Sequence, residues 1–408
     1  MAALRSVTAG WLALFLPPGV RMTWIGTWSC ALVGAADAGR SRTGFRDQTL
    51  RSIVRISAGG SAVRLRLSNV FGDRPLTVGS AHVAVRRAGA ATVPGTTCAV
   101  TFGGRPTVVI APGHRLFSDP VPLRTEDGAD LAVSLGLPDP TGPASWHPSA
   151  LTTSYQAEGA GHGGDADGKP FTRACQSWYF LDGVDVINPA VRGAVVAFGP
   201  STTDGIGSAR DANERYPDKL ARRLLRLPDG DRMTVLNSGI AGNRLLSDNG
   251  TCGPSALNRF VRDAVQQSGV RAVILWEGTN DVATRPGLDL GTIAGAYTRL
   301  IETAHASGLI MIGATLQPHE GAGFYSHAGN RLREAVNEWI RWSGAFDDVV
   351  DFDRILLDPR HPRRLLPGYD SGDHLHPGND GYDAIADSVD LAMLGALADE
   401  DGLRGQVA

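Results

Sequence analysis

Val195-Val196-Ala197-Phe198-Gly199-Pro200-Ser201-Thr202-Thr203-Asp204-Gly205 reads as an apolar strand that runs into Gly-Pro and then delivers a serine at the mouth of a strand-to-loop-to-helix turn. Open α/β sheets present reactive groups at such strand ends, which makes Ser201 the first candidate nucleophile. Downstream the grammar repeats. Strands are expected at Thr234-Val235-Leu236, Ala272 to Trp276, Leu309 to Ala314 and Val349 to Phe352. Helices are expected over Tyr216–Leu227, Ala256–Gln267, Thr292–Ala306, Asn330–Trp342 and Gly381–Ala396. Uncharged apolar strands separated by helical crossovers imply a parallel sheet buried on both faces. Residues 190–400 are therefore expected to form a three-layer α/β/α domain.

The chain before Pro189 obeys a different rule. Short runs such as Ser52-Ile53-Val54-Arg55-Ile56 and Leu131-Ala132-Val133-Ser134-Leu135 are separated by Gly59-Gly60, Gly103-Gly104 and Pro112-Gly113. Val63-Arg64-Leu65-Arg66-Leu67 alternates apolar and basic residues, as a strand with one buried face does. Residues 23–189 are expected to be an all-β sandwich or jelly roll. The glycine-rich stretch Gly159 to Lys169 reads as a mobile surface loop rather than a cation site, despite His162, Asp165 and Asp167.

The 408 residues suffice for two cores, and a formal net charge of −3 without long charged blocks gives no footprint for nucleic acid or an anionic membrane. Residues 1–22 hold the apolar patch Trp11 to Leu16, too short to span a bilayer and without a clear cleavage site. The segment reads as an N-terminal extension or weak signal-like stretch, with a cytoplasmic location favoured slightly over export. Met22 is an alternative start. Cys30, Cys98, Cys175 and Cys252 lack any C-x-x-C spacing, which permits disulfides without requiring them. The sequence leaves oligomeric state open.

Chemistry gathers after the strands. Four loops carry Gly199-Pro200-Ser201, Asn237 to Asn243, Glu277-Gly278-Thr279-Asn280-Asp281, and Asp370 to Pro377. Together they contain the parts for acyl transfer. A serine needs a base, and His376 is the candidate; Asp373 would orient its ring. The backbone N–H groups of Ser201 and Gly242 and the side-chain amide of Asn280 would form an oxyanion hole, each donor worth about 3 kcal/mol of barrier. His374 and His376 lack a third ligand for a metal, and no cofactor or metal is expected. Asp204 reads as a helix cap, Glu277 and Asp281 as supports or surface residues, Asp347, Asp348, Asp351 and Asp353 as solvated strand-end residues, and Trp276, Phe324 and Tyr325 as packing, with the shaping of an acyl or alcohol pocket as the alternative.

These blocks resemble those of the SGNH/GDSL hydrolase superfamily, with Ser201, Gly242, Asn280 in Gly-Thr-Asn-Asp and His376 in Asp-His-Leu-His at the matching places. Trp24-Ile25-Gly26-Thr27-Trp28, Arg66-Leu67-Ser68-Asn69 and Ser177 to Leu181 resemble the β-rich region of an actinobacterial two-domain subgroup similar to acetylxylan-esterase-like enzymes. The resemblance implies a flavodoxin-like catalytic domain. It also implies a serine esterase acting on small acyl groups of a carbohydrate or another polyhydroxylated small molecule. Pro200 departs from the family, which has Asp there; proline supplies neither carboxylate nor backbone N–H. Two alternatives follow: an acyltransferase using the same acyl-enzyme, or a catalytically weakened glycan-binding protein.

Overall fold

A computed structural model describes residues 23–395. The expectations for residues 1–22 and for 396–400 lie outside the described residues. Among the described residues, no helix is long and apolar enough to cross a membrane.

Residues 191–350 supply a five-stranded sheet whose strands are all parallel. Its order is Arg232–Gly239, Val191–Gly199, Val270–Leu275, Ile310–Ala314 and Asp348–Val350, so the first strand in the chain lies second in space. Order reverses between Val191–Gly199 and Val270–Leu275, and ligand crevices open at such a switch point beyond the carboxyl ends. The strand Val191–Gly199 is buried along nearly its whole length. That follows from its apolar run, which has no polar side to offer water. Helices Tyr216–Leu224, Leu290–Ala306, His327–Trp342 and Asn379–Ser388 contribute Leu220, Ile293, Val336 and Ile385 to the same core.

Several elements end where side chains claim the backbone. The strand expected through Phe352 stops at Val350, because the Asp351 carboxylate accepts the Arg354 N–H and starts a helix, Phe352–Leu356. The helix expected from Gly381 onward ends at Ser388 and resumes at Leu391, with Val389 extended between. The segment expected as one helix from Ala256 is α-helical to Phe260 and then widens into a π turn, Val261–Val265.

Residues 24–187 form antiparallel sheets. One runs Trp24–Ser29, Leu181–Ile187, Val63–Ser68, Arg115–Phe117; the larger runs Arg173–Cys175, Ser154–Glu158, Gln48–Arg55, Asp130–Leu137, Ser80–Ala88, Ala91–Thr92. Their facing apolar residues make a second core that includes Trp28, Val54, Leu65, Val133 and Trp178. The glycine-rich stretch expected to be mobile is anchored instead. Arg51, buried at 1% exposure, donates to the carbonyls of Gly163 and Asp165 and so draws the short turn His162–Gly164 onto the sheet. All four cysteines are free thiols.

The two parts meet along a polar seam. Gly26 N–H donates to Ser268 O, Thr234 Oγ1 to Gly26 O, and Ser29 Oγ to Asn237 O. Arg66 is salt-bridged to Asp182 at 2.7 Å and also donates to Gln267. The widened turn and the residues after it supply much of this seam: Arg262 reaches Leu32 O, and Gln266 takes a bond from Arg115.

Candidate active site

Ser201 is the first residue of a one-turn helix, Ser201–Asp204, that follows Val191–Gly199 directly. It is half-buried, and its Oγ lies 2.8 Å from His376 Nε2. The other ring nitrogen, Nδ1, lies 2.5 Å from Asp373 Oδ2. An ionised carboxylate only accepts, so Nδ1 carries the hydrogen and a neutral ring turns the Nε2 lone pair to the serine hydroxyl. Asp373 Oδ1 accepts the N–H groups of Leu375 and His376, at 3.0 and 2.8 Å. Partial burial pushes the Asp373 carboxyl up, but the bonds from the His376 ring and from these two N–H groups outweigh it and hold the group below its ordinary value. Asp and His thus form one local unit. His374 takes a different partner, Asp370 at 2.6 Å, and stays exposed.

Gly242 sits on the loop after Arg232–Gly239 with φ +75, and a Cβ there would lie 2.5 Å from Cys252 Sγ. That position needs glycine on both counts. Asn280 lies in the first turn of the helix Thr279–Thr284 and donates from Nδ2 to Asn243 O at 2.7 Å. One amide hydrogen is committed by that bond and the second is left for another acceptor. The block residues after the first three strands are thereby brought to one end of the sheet, with the histidine loop against Ser201.

Arg259 had no assigned place in the sequence reading, yet it ties these blocks together. Fully buried, it donates to Gly199 O, Ser238 O and Asn243 Oδ1 at 2.9, 2.7 and 2.8 Å, and lies 3.7 Å from Glu277. One guanidinium therefore fixes the ends of two adjacent strands and the loop that carries Gly242. Its only signal was a charge inside the apolar pattern Ala256-Leu257-Asn258-Arg259-Phe260. Asn237 adds a brace, donating to Thr203 O while its Oδ1 accepts Gly239 N–H. With Arg259 and Asn237 holding the turn by its carbonyls, and Pro200 O accepting the N–H groups of Thr203 and Asp204, the turn at Pro200 is supported without a carboxylate at that position.

Several minor expectations change. Asp204 does not cap a following helix: it is buried at the end of its own turn, accepting His147 Nε2 at 3.0 Å and Ala241 N–H at 3.0 Å. Glu277 and Asp281 are not surface residues, since both are fully buried. Asp281 accepts the N–H groups of Leu245 and Leu246, bracing the glycine loop from behind. Burial pushes the Glu277 carboxyl up to about 8, against the pull of Arg259. Asp353 is not solvated but salt-bridged to Arg333 and Arg341. Trp276 is core, packed edge-on to Tyr216 and Phe352. Phe324 and Tyr325 flank the buried ring of His319, which burial and Arg333 push down to about 4. Gln317, also unforeseen, links Thr279 to the carbonyl of Leu375. Among the described residues no group of three or more His, Cys, Asp or Glu side chains is arranged to hold a metal ion.

Residues 197–384 match the GDSL-like lipase/acylhydrolase family. No curated protein matches the chain. Among solved structures, a GDSL-like lipase from Bacteroides thetaiotaomicron VPI-5482 is similar at 19% identity, covering 50% of this chain and 89% of that one, with a TM-score of 0.38. A carbohydrate acetylesterase from Sinorhizobium meliloti is similar at 14% identity, covering 50% and 99%, with a TM-score of 0.40. The M. smegmatis aryl esterase is similar at 14% identity, covering 51% and 99%, with a TM-score of 0.39.

Proposed function

We propose that the chain, whose residues 197–384 match the GDSL-like lipase/acylhydrolase family, is an ester hydrolase that cleaves carboxylic esters through an acyl-enzyme on Ser201. His376 Nε2 takes the hydroxyl proton as Oγ attacks the ester carbonyl, then returns it to the departing alcohol oxygen. Asp373 keeps the ring in the required tautomer and stabilises the imidazolium. The N–H groups of Ser201 and Gly242 and the Asn280 amide receive the negative oxygen of the tetrahedral intermediate. Water, activated by the same imidazole, then releases the acid and restores Ser201.

The observation that supports this reading is the pair of contacts on one ring, 2.8 Å from Nε2 to Ser201 Oγ and 2.5 Å from Nδ1 to Asp373. The substrate class we propose is a small acyl group on a carbohydrate or polyhydroxylated alcohol, which rests on the resemblance of the flanking blocks to acetylxylan-esterase-like enzymes. We also propose two domains, 23–189 and 190–400, each with its own core.

Hydrolysis of p-nitrophenyl acetate, longer p-nitrophenyl esters and acetylated xylan by wild type, Ser201→Ala and His376→Ala tests the reading. Each variant is expected to lose at least about 10³-fold in kcat, since a broken triad leaves only binding and the oxyanion donors. Equal turnover by all three proteins would sink it.

A further inference from the structure

We infer that His147 and Asp204 are positioning residues for the ester reaction, a buried imidazolium–carboxylate pair by which the antiparallel part holds both the Ser201 turn and the Gly242 loop. This rests on the acyl-enzyme reading above. His147 lies on Trp146–His147, a short strand paired with Trp178–Tyr179, far in sequence from the catalytic blocks. Its Nδ1 is 2.9 Å from Ala31 O, and a carbonyl only accepts, so Nδ1 carries a hydrogen. Its Nε2 is 3.0 Å from Asp204 Oδ1, which needs a second proton in the pair. The side chains are 3% and 4% exposed, and Asp204 Oδ2 takes the Ala241 N–H. A carboxylate receiving two donors in a dry site, opposite a ring donating from both nitrogens, satisfies every polar atom. A neutral ring would leave Nε2 and Oδ1 lone pair against lone pair.

The pair lies where it acts on the reaction. Asp204 ends the one-turn helix that Ser201 begins, and Ala241 precedes Gly242. A small apolar cluster of Ala31, Val33 and Ile240, with Trp146 against it, presses the same strand pair onto the same loop. One imidazole therefore fixes the spacing between nucleophile and oxyanion donor from outside the catalytic sheet.

The groups facing the pair set its response to pH. Arg215, just before the helix Tyr216–Leu224, opposes charge on the ring, and Trp178 packs on it at 5.4 Å. Toward Asp204 lie the Cys30 thiol, pushed up by burial, by Asp182 and then by Asp204 against the pull of Arg66, and the Tyr382 hydroxyl, pushed up by burial and by Asp204. Burial disfavours the charged ring, but Asp204 outweighs it and the imidazole is raised above its ordinary value. A raised histidine contributes in full below its unfolded pKa, and the contribution fades as pH climbs through the folded one.

The test is kcat and KM for p-nitrophenyl acetate from mildly acid to alkaline pH, with Ser201→Ala as the blank. In Asp204→Asn the amide oxygen still accepts Ala241 N–H while the amide N–H donates to a neutral ring, so the bonds persist without the extra proton. Wild type is expected to lose kcat at the alkaline end with KM little changed, whereas Asp204→Asn holds its own neutral-pH kcat through that range. Asp204→Ala and His147→Ala are expected to lose about 10²-fold in kcat at every pH, the size of losing one oxyanion donor. The inference is overturned if Asp204→Asn follows the wild-type alkaline profile. If an alanine variant does not fold, that comparison decides alone. Activity surviving in Ser201→Ala would instead remove the acyl-enzyme reading, a separate failure.

Discussion

At the scale of single residues, the His376 ring is set by what each neighbour is able to donate. Asp373 offers only lone pairs to Nδ1, which leaves Nε2 free to accept from Ser201. Asp373→Asn keeps an oxygen for the N–H groups of Leu375 and His376 but turns an amide N–H toward Nδ1, forcing the hydrogen onto Nε2. The fold is expected to persist while kcat for p-nitrophenyl acetate falls by about 10⁴, with KM nearly unchanged. A small loss would mean that orientation rather than tautomer matters. At the neighbouring Pro200 the expectation is the opposite. Its ring supplies no acceptor, yet the turn is held through the carbonyls of Gly199 and Thr203 by Arg259 and Asn237. Pro200→Asp should leave kcat unchanged or raise it; a collapse would show that proline itself holds the turn.

Among elements, the ends of the parallel strands are where fold and chemistry compete. The strand Val270–Leu275 runs on through Trp276 into Glu277, whose Oε2 is buried without a hydrogen-bond partner and whose carboxyl is pushed up to about 8. Unfolded, that group ionises near pH 4, so the folded chain binds the extra proton between about 4 and about 8. Stability therefore falls across that window as pH rises. Glu277→Gln is expected to flatten this part of the urea-midpoint profile relative to wild type, and parallel profiles would contradict the buried neutral acid. The loop after Arg232–Gly239 gives a steric counterpart. Gly242→Ala meets Cys252 Sγ and also keeps a positive φ, costing about 1–3 kcal/mol of backbone strain. Adding Cys252→Ala should recover only the steric share of the loss in thermal stability, because the strain remains.

On the scale of the whole molecule, what was legible depended on how far interactions reach along the chain. Ala194–Phe198 and Ala272–Trp276 declared themselves as strands because an uninterrupted apolar run needs no partner to be read. Asp373 and His376 were legible because their contact spans |i−j|=3. Ser201 could be placed only by its strand end, and Asp204 was misread because local logic favours a cap while its partner His147 is 57 residues away. Arg259 was invisible for the same reason, its bond to Gly199 spanning 60 residues. The seam between the antiparallel and parallel parts is the extreme case: Thr234 bonds to Gly26 and Arg262 to Leu32 across more than 200 residues, |i−j|=208 and 230. No pattern within either part announces it. Such a seam makes a thermodynamic claim. Arg66 is 2% exposed and holds Asp182 on its own side and Gln267 across the boundary, so unfolding the parallel part opens a buried ion pair to water and removes its Gln267 acceptor. The seam bonds of Gly26, Ser29, Arg66, Thr234 and Arg262 break whichever part unfolds, each contributing about 0.5–1.5 kcal/mol, so together they couple the two parts. Calorimetry is therefore expected to give one transition whose van't Hoff and calorimetric enthalpies agree, moved down as a whole by Arg66→Ala. Two resolved transitions, with only one shifted by that substitution, would show that the parts fold separately and that the seam merely joins them.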